Sequence, residues 1–523
     1  MSTPIQPPDN GFTEARANAA SDETSAARRS AASERAAGAF GSASHPGTPI
    51  RGFFGHPRQL GVLFMLEMWE RFSFYGLQGI LAYYIYYSAE KGGLGIDQGT
   101  ALGIVGAYGG TVFLMTIMGA WVADRVLGRE KTLFISGILI MLGHLSLALI
   151  PGAAGLLVGL VLVAVGSGGL KANATAVVGT LYEREDPRRD AGFSIFYMGV
   201  NTGALIGPLV TGLLKDTKGF HWGFGAAAVG MAIGLVVYAM GRRKFPEHAY
   251  IPSNPLVGSQ RKLIAPVILG GFAVMGLALW FGLATDSIDW VVFTIAVVAA
   301  VAYFAVMLRD RDLSDTERSR VKAFIPLFLA ATLFWSLFQQ QFTFIAVYSD
   351  QRLDRHIGSW EFPASWVQSI NSVFVIIFAG VLSVIWTKLG NRAPGTPKKF
   401  SLSLVIVGAA YLVFLPFANG ASLTPVLVLV LVLFLFTMAE LMLSPIGLSL
   451  ATKLAPLKYP TQMVALNFLA SSIGTTLAGT VSKYYDQHNE APYFITVGLT
   501  SILGGVLLFV GSKAVSKRMK GVL

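Results

Sequence analysis

The 523 residues of this chain include no cysteine. Disulfides, thiolate nucleophiles and cysteine-ligated metals are therefore excluded. Charge is scarce as well: Asp, Glu, Lys and Arg make up 13% of the sequence, against ~25% in soluble domains. With 53% hydrophobic residues, the composition excludes a water-soluble fold and indicates an all-α integral membrane protein. The seven histidines lack metal-ligand spacing such as HExxH, and no nucleophile elbow or phosphate-cradling glycine loop occurs. Neither an enzyme, a metal nor a cofactor is expected. A net charge of +11 would suit nucleic acid in a soluble protein. Here the basic residues cluster in particular loops, so membrane topology accounts for them and no nucleic-acid partner is expected.

What the chain has is apolar runs. Taking ~20 residues as the minimum span, about fourteen recur, near 61–88, 99–122, 132–150, 154–181, 191–214, 221–240, 263–283, 287–308, 323–349, 364–388, 400–418, 424–451, 461–485 and 492–512. Gly199, Gly203, Gly207, Pro208 and Pro445 lie inside them, as in helices that approach closely or bend. Alternate loops are basic or charge-dense, for example 124–131, 241–248, 309–322 and 388–399, whereas 151–155, 285–289 and 418–422 carry no Lys or Arg. The positive-inside rule then puts both termini in the cytoplasm of a multi-pass cell-membrane protein, which requires an even number of spans. The expected organisation is a disordered cytoplasmic tail (1–50), a six-helix bundle (55–240), a linker with two extra helices (241–322), a second six-helix bundle (323–515) and a cytoplasmic tail (516–523). The extra helices contain only Asp286 and Asp289 as charges, in their connecting turn, and read as lipid-facing scaffold. Two six-helix halves are the plan of the major facilitator fold, which binds its ligands at the midplane.

The first span carries EMWERFSFYG at 67–76. An ionised side chain near a span's centre costs ~2.5–3.5 kcal/mol on an insertion scale, while each Leu or Phe recovers ~0.3–0.6. Glu67, Glu70 and Arg71 thus nearly cancel the apolar gain of the helix and should face a water-filled cavity. Glu67, Glu70, Arg71, Phe74, Tyr75 and Gln78 fall within about 140° of one helix face. Arg71 can pair with either carboxylate or with a ligand, so a carboxylate here can take up or release a proton as its exposure changes. The plain alternative is an ion pair that only locks helix packing. Lys171 is a lone cation in the fourth span, and Glu440 the corresponding lone anion of the second half, with Ser444 one turn beyond. Asn201 and Asn371 add an amide in each half. Cations in one half and an anion in the other suit a zwitterion.

These segments resemble the proton-dependent oligopeptide transporters. EMWERFSFYG matches their ExxERFxYYG motif, and FYMGVNTGA (196–204) resembles FYxxINxG. GLKANATAVVGTLY (169–182) and AELMLSPIGLSLATKLAP (439–456) are similar to the family's fourth and tenth helices, and GAWVADRVLGREK (119–131) resembles the facilitator loop between second and third helices. The resemblance covers about residues 55–515 and implies a symporter that imports di- and tripeptides with protons by alternating access, expected to be a monomer in lipid. It implies that Glu67, Glu70, Arg71 and Lys171 belong to the proton-coupling network. It further implies that Arg71 and Lys171 attract the peptide carboxylate, that Asn201, Asn371 and Glu440 receive its amino terminus, and that Tyr75 and Trp335 line the cavity. Gln78 and Ser444 join the binding set, and a Lys171–Glu440 pair could close one side. The chain departs from the family pattern at Phe74, Gln78, Phe113, Gln339 and Asn467, and Gln339, unlike the glutamate often found there, does not titrate. The rival readings are a related carrier of nitrate, another small anion or a drug, and a receptor that binds peptides without moving them.

Overall fold

A computed structural model describes residues 52–183, 186–256, 285–420 and 422–522, with isolated positions 258, 262, 266 and 282 between them. The tail expected at 1–50 and the helix expected at 263–283 lie outside the described residues. Residues 53–56 form a small turn closed by a Phe53–His56 bridge. From Pro57 onward the described residues are helical almost throughout.

Six helices make the first bundle: α1 (Arg58–Tyr86), α2 (Gln98–Val122), α3 (Arg129–Leu149), α4 (Gly152–Thr180), α5 (Arg189–Lys218) and α6 (Phe220–Gly241). α7 (Ile288–Arg309) is an extra helix. The second bundle holds α8 (Asp315–Phe338) with α9 (Phe344–Gln351), then α10 (Val367–Leu389), α11 (Thr396–Leu412), α12 (Val426–Leu454), α13 (Pro460–Ser482) and α14 (Ala491–Arg518). Among the described residues, twelve helical stretches are long and apolar enough to cross a membrane. α1 is not one of the twelve; at 29 residues it is ~43 Å long, but it carries the charged EMWERF segment.

Three details differ from expectation. α8 begins at Asp315, ahead of the expected 323, because Ser314 and Glu317 form a capping box that extends the helix into the charged loop. The span expected at 323–349 is broken: α8 gives way to a 3₁₀ turn at Gln339–Phe342 before α9 resumes. Asp289 is not in a turn but in the first turn of α7, fully buried, 2.8 Å from the Lys483 ammonium and from the Thr480 hydroxyl. One stripe of α7 (Asp289, Val292, Ala296, Ala300) is buried, while Trp290, Val298, Val301 and Val306 are exposed.

α1 packs chiefly on α5, and the glycines foreseen there make this possible. A Cβ on Gly203 would lie within 3 Å of the Phe72 amide and of Arg71 Cβ, so only glycine lets α5 rest on the backbone of α1. The bundles meet at two seams, α2 on α13 and α5 on α10. Cross-bundle hydrogen bonds gather at one end of these helices. Tyr83 donates to the Ala346 carbonyl (3.0 Å), and Tyr86 and Tyr87 donate to the two oxygens of Asp350 (2.8 and 2.7 Å). Trp366 and Ser369 donate to carbonyls of Leu209 and Leu205, while midway along the α2–α13 seam Ser472 donates to that of Gly110. That end lies away from the basic loops.

At the opposite end, the loop before α13 is clasped to the segment before α8. Asp310 accepts from Lys458 (2.7 Å) and Tyr459 (2.6 Å), which hold its carboxyl down at about 2.

Candidate functional site

The charged segment of α1 folds into one cluster. Arg71 Nε lies 2.8 Å from Glu67 Oε1 and 3.0 Å from Glu70 Oε2, and all three side chains are at least 95% buried. Ser167 on α4 donates to the other oxygen of Glu70 at 3.1 Å. Only Nε of Arg71 is used in these pairs; its two terminal nitrogens hold no hydrogen bond among the described residues. The outer fork of the guanidinium is thus free for a second, bidentate carboxylate.

Lys171 lies within electrostatic reach of Arg71, Glu70 and Glu67. Its ammonium sits 4.1 Å from the centre of the Phe113 ring, a cation–π contact from α2. Among the described residues no Lys171–Glu440 pair forms within 4.0 Å, so the interbundle pair considered from sequence is absent in this form. Summing formal charges, Glu67 (−1), Glu70 (−1), Arg71 (+1) and Lys171 (+1) give zero. One proton taken up by a carboxylate leaves this wall at +1.

The opposite wall comes from α10 and α12. The Asn371 amide donates to the Thr437 hydroxyl at 2.9 Å and reaches Glu440 Oε2 at 3.5 Å, the outer limit of a hydrogen bond. Glu440 has no cation within ion-pair range among the described residues, so its carboxylate is open to an incoming ammonium. Ser444 follows one turn later, half-buried, just before the Pro445 bend. Two tyrosines of the first bundle come within electrostatic reach of Glu440. One is Tyr75, in edge contact with Phe74 and beside Phe342; the other is Tyr197.

The remaining expected residues are more occupied. Asn201 turns its amide to the Tyr197 carbonyl (2.9 Å) on its own helix. Trp335 packs edge-on to Phe334 and Phe338 within the second bundle. Gln78 is buried beside Gly109 with its carbonyl oxygen unpartnered. Gln339, next to the helix break, donates to Thr475 at 3.2 Å. Sequence reasoning missed Ser167, Thr437 and Tyr197 as site residues; only the FYxxINxG-like stretch pointed near the last. Among the described residues no cluster of metal-ligating side chains occurs.

Three comparisons bear on this arrangement. Residues 130–498 match the POT family. The chain is 43% identical over 485 residues to an uncharacterized transporter of Bacillus subtilis, YclF, covering 91% of this chain and 97% of that one. It is 39% identical to a di-/tripeptide transporter of Lactococcus lactis subsp. cremoris, covering 90% and 98%. A crystal structure of the peptide transporter POT, as a point mutant in complex with alafosfalin, superposes with a TM-score of 0.86 at 41% identity over 91% of this chain and 98% of that one.

Proposed function

The chain belongs to the POT family, with the major facilitator fold in a multi-pass membrane protein, and on that premise we propose that it imports di- and tripeptides together with protons by alternating access. The observation that carries this reading is the pair of facing walls. Arg71 offers a free guanidinium fork on one side, and Glu440 an uncompensated carboxylate on the other. A peptide zwitterion satisfies both at once. A nitrate-sized anion uses only the first and is repelled by the second.

Coupling follows from the charge count. With Glu67 and Glu70 ionised, Arg71 is held by both and the wall is neutral. Protonation of one carboxylate weakens its hold, leaves a +1 wall and favours a substrate carboxylate on the freed guanidinium. Release of peptide returns Arg71 to the carboxylates and expels the proton. One inward proton supplies ~2.3 kcal/mol per 100 mV, enough for roughly fiftyfold accumulation of a neutral substrate. The cross-bundle bonds at the Tyr86–Asp350 end support an assignment of this form as outward-closed, with both termini and the basic loops cytoplasmic. In this reading 55–240 and 323–515 rock as units, the protein works as a monomer in lipid, and no cofactor takes part.

The test is uptake of labelled dialanine into proteoliposomes with an imposed inward proton gradient, compared with its N-acetylated form and with nitrate. Accumulation of dialanine alone, abolished by a protonophore, is expected. Binding without accumulation would favour the receptor reading, and nitrate flux the anion carrier.

A further inference from the structure

A pocket of about 480 Å³ lies apart from the peptide site, where the basic ends of α3 and α6 meet. Glu130, Lys131, Ala239, Arg242, Arg243 and Tyr250 line it. Its floor is already satisfied. Glu130 is fully buried and takes Arg242 Nε and Nη2 at 2.6 and 3.0 Å, while the guanidinium lies 3.9 Å above the Phe134 ring. The Tyr250 hydroxyl donates to the Arg242 carbonyl and closes one edge.

Glu130, the one carboxylate among the described residues that line the pocket, is thereby spent on one edge of one arginine. The opposite edge of Arg242 is unbonded, and Lys131 and Arg243 are exposed and make no ion pair among the described residues. Three cationic groups thus face a concave space with no free anion among the described residues that line it. The faces leading into the pocket are apolar. Ile135 follows Lys131 by one turn on α3, and Val236 and Met240 precede Arg243 on α6, with exposures of 44%, 59% and 78%. Along both helices, cation therefore gives way to lipid-facing aliphatic surface within one or two turns. That is the depth profile of a headgroup joined to its acyl chains.

We propose that this pocket binds the phosphate of an anionic phospholipid, with Lys131, Arg243 and the outer edge of Arg242 as its ligands and an acyl chain along Ile135, Val236 and Met240. The site does not depend on the peptide-transport reading, because none of these residues belongs to either wall of the cavity.

The test uses the full chain, delipidated in detergent, titrated with phosphatidylglycerol, phosphatidylcholine or inorganic phosphate and read by native mass spectrometry. Wild type is expected to prefer phosphatidylglycerol. In K131Q/R243Q its affinity should fall roughly thirtyfold, the factor for two juxtamembrane cations. A control with the same charge change, K513Q/K517Q in the last helix, should leave that affinity unchanged. Equal affinity for phosphatidylcholine, an unaltered K131Q/R243Q, or the same loss in the control would overturn the proposal. Inorganic phosphate that displaced the lipid at matched concentration would reassign the pocket to a free anion. Dialanine uptake in phosphatidylcholine vesicles should be the same for both double variants as for wild type.

Discussion

Replacing Gly106 by alanine should move the protein between its two conformations. At the α2–α13 seam, a Cβ on Gly106 would stand 2.6 Å from Gly479 Cα, 2.8 Å from the Gly479 amide nitrogen and 3.0 Å from the Thr476 carbonyl. Carbon atoms rest at about 3.5–4.0 Å, so one helix must retreat by roughly 1 Å. Every atom in the way is backbone, and no side-chain rotation relieves the clash. Overpacking of this kind costs ~1–3 kcal/mol. The cost falls only on the form in which the seam is closed. The gain in helix propensity, ~1 kcal/mol for glycine to alanine, applies to both forms and cancels. The ratio of outward-open to outward-closed molecules should therefore rise about 5- to 150-fold. Because the chain has no cysteine, a Glu90→Cys/Gln487→Cys pair can be spin-labelled without background. These two exposed positions flank the end of the seam that lies away from the basic loops, one in each bundle. Pulsed electron paramagnetic resonance should show a longer distance population in Gly106→Ala that is minor in the parent. An unchanged distance distribution in a folded, transport-competent Gly106→Ala would refute the argument that this seam is the outer gate.

Other consequences are more local. Phe113→Leu removes the ring beneath the Lys171 ammonium, a contact worth ~1–2 kcal/mol when desolvated. The lysine then falls back on Glu70 and Glu67, so KM for dialanine should rise roughly five- to thirtyfold, while Phe113→Tyr and a C-terminally amidated dipeptide show little change. Asp289→Asn leaves the Lys483 ammonium without its partner at the α2–α13 seam. Since Lys483 keeps 23% side-chain exposure, the loss should be ~1–3 kcal/mol, below that of a fully buried pair, and Asp289→Asn/Lys483→Met should recover much of it in a thermal-unfolding cycle. The Asp310 clasp has a defined pH window. A carboxyl held at about 2 against an ordinary ~3.9 contributes above the ordinary value and is lost as pH falls toward 2. Amide protection factors at Lys458 and Tyr459 should accordingly be flat from pH 8 to 5 and drop only below about pH 4; a drop near neutrality would contradict the assignment.

Much of the site was legible because charge inside an apolar run is costly, and that cost needs a reason. Glu67, Glu70 and Arg71 stand out on that ground alone, and the structure joins them through one arginine nitrogen. Gly199, Gly203 and Gly207 announced a close helix approach through their spacing, and α5 does lie on α1. The hydroxyls were silent. Ser167 and Thr437 look like any polar residue of a membrane helix until α4 is set beside α1 and α10 beside α12. Phe113 is instructive: in the sequence it is only a departure from the family pattern, whereas in the fold it is a seat for the Lys171 cation. The break at Gln339–Phe342 was hidden because QQQF has no proline or glycine to mark it. Asp289 was misassigned to a turn because its partner, Lys483, is nearly two hundred residues away.

The measurement nearest the central claim compares two fluxes in Glu70→Gln. The amide keeps the shape and the Ser167 contact but cannot lose a proton. Counterflow exchange of dialanine should persist, since Arg71 and Glu440 still bind the zwitterion, while accumulation driven by an inward proton gradient should vanish. Gradient-driven accumulation at the wild-type level in Glu70→Gln would contradict the assignment of this carboxylate to coupling.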